Sequence, residues 1–106
     1  NLLEEAKKHY SEQIYSITAD LHAHPELSFE EKRTSAIIRQ LEKLGIEILD
    51  LGLETGVVGL LRGRGDATIA LRADIDAIVQ HEEYDRPDKS LTPGVMHGCG
   101  HDTHTA

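Results

Sequence analysis

The chain holds 106 residues, 39% of them apolar and only 4% aromatic, which is enough for one small domain to close a core. Eleven lysines and arginines against 19 acidic residues leave a net charge of −8. That balance excludes nucleic acid and an anionic membrane as partners, because both need a positive face. The single cysteine, Cys99, excludes an internal disulfide, and no apolar run approaches the ~20 residues that span a bilayer.

Taken in order, Leu3, Ala6, Tyr10, Ile14, Ile17 and Leu21 recur at steps of three and four. The spacing predicts an amphipathic helix over residues 2–23, stopped by Pro25. Ser28-Phe29-Glu30-Glu31 has the spelling of a capping box. A second helix is expected after it, burying Ala36, Ile37, Leu41 and Leu44 and ending at Gly45 in the left-handed conformation. From Ile46 the period changes to two. Ile46, Ile48 and Leu51 predict a short strand, and Gly56–Arg62 and Ala67–Asp76 predict two more, joined by a tight hairpin at Gly63-Arg64-Gly65-Asp66. His81–Thr92 is polar and charged and predicts a loop. Helices, then strands, then a chemistry-rich tail predict one α/β unit.

In the third strand, alternation sends Ile69, Leu71, Ala73 and Ile75 to one side. Arg72, Asp74 and Asp76 go to the other, clustered at the strand's carboxyl end, where ligands of open α/β sheets gather. Taken alone, those charges are equally a solvated strand face.

The tail Met96-His97-Gly98-Cys99-Gly100-His101-Asp102-Thr103-His104 concentrates three histidines, the only cysteine and an aspartate. Thiolate and imidazole are preferred ligands of zinc and similar borderline metals. Gly98 and Gly100 let the backbone turn sharply enough for Cys99 and His101 to converge on one ion. Asp102 is then an acceptor that orients an imidazole, or a helix N-cap, and His101 and His104 share a face if a helix begins here. Two close ligands do not complete a site.

Other motifs are weaker. His22-Ala23-His24 has two imidazoles one residue apart, but before Pro25 it reads as an ordinary helix exit rather than a ligand pair. His81-Glu82-Glu83-Tyr84-Asp85 begins like a zincin helix but has Asp85 where a second histidine is required. Gly63-Arg64-Gly65 lacks the third glycine of a dinucleotide fingerprint, and Asp74-Ile75-Asp76 lacks the glycine and later glutamate of a calcium loop.

His22-Ala23-His24-Pro25-Glu26-Leu27-Ser28-Phe29-Glu30-Glu31, Thr55-Gly56-Val57-Val58-Gly59, Leu71-Arg72-Ala73-Asp74-Ile75-Asp76-Ala77 and Pro93–Ala106 occur in that order. The series resembles the N-terminal part of metal-dependent amidohydrolases of the hippurate hydrolase, N-acyl-amino-acid amidohydrolase and auxin-conjugate hydrolase type. These belong to the aminoacylase and carboxypeptidase clan of metallopeptidases. The resemblance implies the N-terminal portion, residues 1–106, of a three-layer catalytic domain with a mixed sheet, without the smaller lid or dimerisation domain. It also implies a pair of divalent ions, zinc or manganese, that activate water to hydrolyse N-acyl or N-aroyl amino acids. Carried over residue by residue, Cys99 and His101 are metal ligands. Asp74 is the catalytic-site aspartate that orients a ligand. Many clan members have a histidine ligand two residues before that aspartate; here the position is Arg72.

The family's Glu-Glu pair and two further histidine ligands lie downstream of this segment, so the isolated chain is expected to be inactive. Ile78-Val79 stands where Leu-Pro is usual, and Gly98 where alanine is common. A cytoplasmic location, a small N-acyl amino acid as substrate and a homodimeric parent complete the expectation. Two alternatives stay open: a small non-enzymatic metal-binding module, and a degenerate paralogue with an interaction role.

Overall fold

A computed structural model describes all of residues 1–106. Helix α1 spans Leu2–Ala23, the predicted range. Asn1 caps it by accepting the Glu4 amide at 3.0 Å, and Glu4 and Glu5 place negative charge beside the free amides of its first turn. At the other end His24 closes the helix, its backbone amide reaching Asp20 O and Leu21 O and its Nδ1 lying 2.9 Å from Asp20 O. No helix is long and apolar enough to cross a membrane.

Helix α2 spans Lys32–Ile38 and continues as a 3-10 turn over Arg39–Leu44, which ends as expected at Gly45 with φ 81°. The expected capping box does not form. Glu31 occupies the cap position without a side-chain bond, and the free amides of Arg33 and Thr34 go instead to the Glu26 carboxylate at 3.0 and 2.6 Å. Thr34 Oγ1 also donates to Glu26 Oε1 at 2.7 Å. Glu26 is in reach because its own carbonyl accepts the Ala77 amide at 2.8 Å, pinning the chain before α2. A charged acceptor bridging two amides and a hydroxyl outcompetes one serine hydroxyl.

The strands are shorter than predicted. β1, Glu47–Ile48, pairs antiparallel with β2, Gly59–Leu60. A Cβ on Gly59 would lie 2.8 Å from Ile46 Cγ2, so glycine permits this close approach. Residues 67–76 form no ladder, and the hairpin expected at Gly63–Asp66 is only a bend, because β2 takes its partner from residues 47–48. Alternation selects a face, but a strand also needs a neighbour to receive its amides. Without one, Leu71 is 97% exposed. Two single bridges, Leu27 with Ala77 in parallel and Ile78 with Met96 in antiparallel, give the arrangement the mixed direction the sequence implied.

Helix α3, His101–Thr105, packs against α1. Of the α1 stripe only Leu21 is fully buried; Leu3, Tyr10, Ile14 and Ile17 line an open groove of about 820 Å³ with Ile37 and Leu41. Ala36 and Leu44, expected in the core, are exposed, since nothing packs over that side. The centre of the molecule is mostly polar: beside Leu21 and Ala77 it buries His22, Glu31, Thr34, Ser35, Glu82, His97 and Asp102. Burial of so many polar groups demands that they bond to each other.

Candidate metal centre

Two histidine sites sit back to back on α3. On its front face, His101 Nδ1 lies 2.9 Å from both the carbonyl oxygen and Oδ1 of Asp76. With Nδ1–H donating to these oxygens, the Nε2 lone pair is left free and lies 3.9 Å from Asp74 Oδ2. This is the carboxylate–imidazole arrangement that fixes a ligating histidine's tautomer. His104, one turn on, stacks on His101 with ring centroids 5.5 Å apart. Asp74, His101 and His104 offer donor atoms all within 4.8 Å of one another, and imidazole nitrogen with carboxylate oxygen suits zinc or manganese. The donor set fits a divalent ion.

Asp74 and Asp76 reach the same histidine because alternate residues share a side, as the sequence pattern required. Arg72 sits beside them and holds Asp74, with its Nη2 2.5 Å from Asp74 Oδ1. Cys99 is exposed on the turn preceding α3 and stands outside this cluster. Thr105 Oγ1 donates to Asp74 O at 3.3 Å and ties the end of α3 to the same segment.

On the rear face, Asp102 is the one buried residue of α3. It is not the helix N-cap, a position taken by Gly100 with φ 78°. Asp102 Oδ2 lies 2.7 Å from His22 Nδ1, and His22 Nε2 lies 2.8 Å from Glu82 Oε1. Glu82 in turn accepts the Ser90 amide at 2.8 Å through Oε2, while the Leu91 amide bonds Ala23 O at 2.9 Å. The predicted 81–92 loop is thus organised around one buried carboxylate. Burial opposes charging His22, but its bonds to Glu82 and Asp102 outweigh that and raise its pKa above the ordinary 6.5. Burial also pushes Glu82 upward, and the Ser90 amide with His22 outweighs it, holding the carboxyl below 4.5. His97, buried nearby with neither ring nitrogen partnered, is pushed below 6.5 by burial.

The structure therefore unites Asp74 with His101, and adds Asp76 and His104, which the resemblance did not assign. The alternation of Asp74 with Asp76 and the His101–His104 spacing were the available signals for these. Nothing local marked His22, whose partners Asp102 and Glu82 lie 80 and 60 residues from it along the chain.

Residues 70–106 match peptidase family M20/M25/M40. The chain is 48% identical over 104 residues to N-acetylcysteine deacetylase of Bacillus subtilis, covering 95% of this chain and 27% of that protein. It is also 48% identical over 96 residues to thermostable carboxypeptidase 1 of Saccharolobus solfataricus, covering 88% of this chain and 24% of that protein. A crystal structure from Bacillus subtilis, described as a dinuclear metal-binding peptidase of the M20 family, superimposes with a TM-score of 0.88 at 48% identity. That match covers 94% of this chain and 29% of the other. Residues 70–106 thus match that family, and nearly the whole chain is similar to one of its solved members. The chain's fold is that of a fragment of an M20 peptidase domain, and it spans about a quarter of the length of the curated relatives it matches.

Within that family setting, the two departures noted in the sequence meet in space. A Cβ on Gly98 would lie 2.8 Å from Ile78 Cδ1 and 3.5 Å from its Cγ1. Ile78, where leucine is usual, fills the space that an alanine methyl at position 98 would take. The bare Gly98 is what lets the Ile78 side chain lie against this turn.

Proposed function

We propose that the full-length protein is a metal-dependent amidohydrolase that cleaves the amide bond of small N-acyl or N-aroyl amino acids with activated water. Residues 1–106 would form the N-terminal portion of its catalytic domain. The observation that carries this reading is His101, whose Nδ1 is held by Asp76 while its Nε2 is turned towards Asp74 and His104. Cys99 and His101 would be ligands for a pair of zinc or manganese ions, with His104 close enough to add a donor. When bound, such a pair polarises the scissile carbonyl and lowers the pKa of water to about 7.

The chain's own residues then have distinct tasks. Asp76 fixes the His101 tautomer, and Asp74 sets the charge beside its free nitrogen. Arg72 orients the Asp74 carboxylate through its forked contact. Cys99, exposed on the adjoining turn, would be a thiolate ligand to the ions. The general base that passes a proton to the leaving amine would be a carboxylate of the family's Glu-Glu pair, downstream of residues 1–106. Cytoplasmic residence and a homodimer formed outside this segment are part of the same proposal.

The relatives named as a deacetylase and as carboxypeptidases mark two substrate classes, and hydrolysis assays separate them. The full-length protein loaded with zinc or manganese should release the free amino acid from N-acetyl and N-benzoyl amino acids. It should lose activity on chelation, and lose about a hundredfold or more in His101→Ala. Activity that survives chelation would overturn the metal reading. Preference for unblocked peptides would replace the acyl-amino-acid reading with a carboxypeptidase one. Residues 1–106 alone should be inactive and bind zinc weakly.

A further inference from the structure

We infer that His22 is a positioning residue for the metal face: by holding Asp102 at the rear of α3, it sets the direction in which His101 and His104 are presented to Asp74. The inference rests on the metal reading of that face given above, and adds a part played by residues distant from it.

Helix α3 has five residues, with no side-chain cap at its Gly100 start. A helix so short has no stability of its own and takes its orientation from tertiary contacts. Its front contacts, His101 to Asp76 and Thr105 to Asp74, run to the segment that would share the ion. At the rear, α3 is tied to α1 through Asp102 and His22. Asp102 is 5% exposed, His22 4% and Glu82 6%, and both His22 nitrogens face carboxylate oxygens at 2.7 and 2.8 Å. A side chain held at both ring nitrogens has no rotational freedom left. His22 is anchored by its own backbone in the last turn of α1, and it passes that position to α3 through the one bond to Asp102. Asp102 is next in sequence to His101, so a rotation of α3 about its axis would swing both imidazoles away from Asp74.

Two near-isosteric substitutions separate this role from general stability. The amide nitrogen of asparagine falls where Nδ1 of histidine lies, and that of glutamine where Nε2 lies. His22→Asn keeps a donor for Asp102 and gives up Glu82; His22→Gln keeps a donor for Glu82 and gives up Asp102. Each loses one bond to a buried carboxylate, so a merely structural role lowers thermal stability and cobalt affinity alike in both. The test is cobalt(II) titration of the full-length protein, read by visible absorption, with thermal unfolding in parallel. The expected result is about 10–100-fold weaker cobalt binding and an altered ligand-field spectrum in His22→Gln, with affinity and spectrum close to wild type in His22→Asn. Equal effects in the two variants, or a wild-type spectrum in His22→Gln, overturn the inference while leaving the metal reading intact. Failure of the wild-type protein to bind cobalt overturns both. If His22→Gln does not fold, Asp102→Ala and Glu82→Gln make the same comparison from the partners' side. Loss confined to Asp102→Ala supports the inference, and loss in both or neither overturns it.

Discussion

Replacing His22 by alanine leaves Glu82 and Asp102 buried without the group between them. Each loses a hydrogen bond to an ionised partner, at about 1.5–3 kcal/mol apiece, and breaking a buried ion pair from one side costs about 3–5 kcal/mol. Protonation limits the damage. Starting from the ordinary glutamate value of 4.5, neutralising one carboxyl at pH 7 costs roughly 3 kcal/mol at about 1.36 kcal/mol per unit. His22→Ala should therefore destabilise the protein by about 3 kcal/mol at pH 7. The pH dependence has a definite sign. In the variant a carboxyl pKa is raised in the folded state, so the penalty is present at high pH and shrinks as pH falls. In the wild type, the raised His22 contributes fully below 6.5 and loses its contribution as pH rises through its folded value. The lowered Glu82 contributes fully above 4.5 and loses its contribution as pH falls through its folded value. Between pH 7 and pH 5 the wild type gains a little as His22 charges, but the variant gains more as its carboxyl takes up a proton, so the gap should narrow by about 1 kcal/mol or more. Urea unfolding of the full-length protein by circular dichroism at both pH values measures this. A loss below about 1 kcal/mol at pH 7, or one that is the same at pH 5, refutes the charged-network account.

Two further predictions follow from packing and capping. Glu26→Ala removes the acceptor shared by the Arg33 and Thr34 amides and should cost about 1–2 kcal/mol, whereas Ser28→Ala should leave the unfolding midpoint within error. Gly98→Ala drives a methyl against Ile78 Cδ1 and should cost about 1–3 kcal/mol by overpacking; Ile78→Leu in the same chain should recover part of that loss, which a double-mutant cycle reads directly.

Much of the local structure was legible in the residues themselves. The three- and four-residue steps from Leu3 to Leu21 and the stop near Pro25 place α1 within its observed bounds, because a helix's hydrogen bonds close over four residues. Gly45 ends the second helical segment for the same local reason. Alternation put Asp74 and Asp76 on one side, and the His101–His104 spacing put two imidazoles on one face of α3. Each of these depends only on backbone periodicity, which a sequence carries explicitly.

Tertiary structure decided the rest. Glu26 displaced the expected Ser28 cap because the bridge to Ala77 brought its carboxylate over the start of α2. Residues 67–76 have the alternation of a strand, yet no neighbour lies beside them, and pairing is a property of two segments rather than one. His22 looked like an ordinary helix exit, and Glu82 like part of a failed motif. They form one buried unit with Asp102 only when α1, the 81–92 loop and α3 meet. A charge bears on another through distance and burial, and neither is written in the order of residues. That is why the motif in the tail could be read directly, while the network behind it became visible only in the fold.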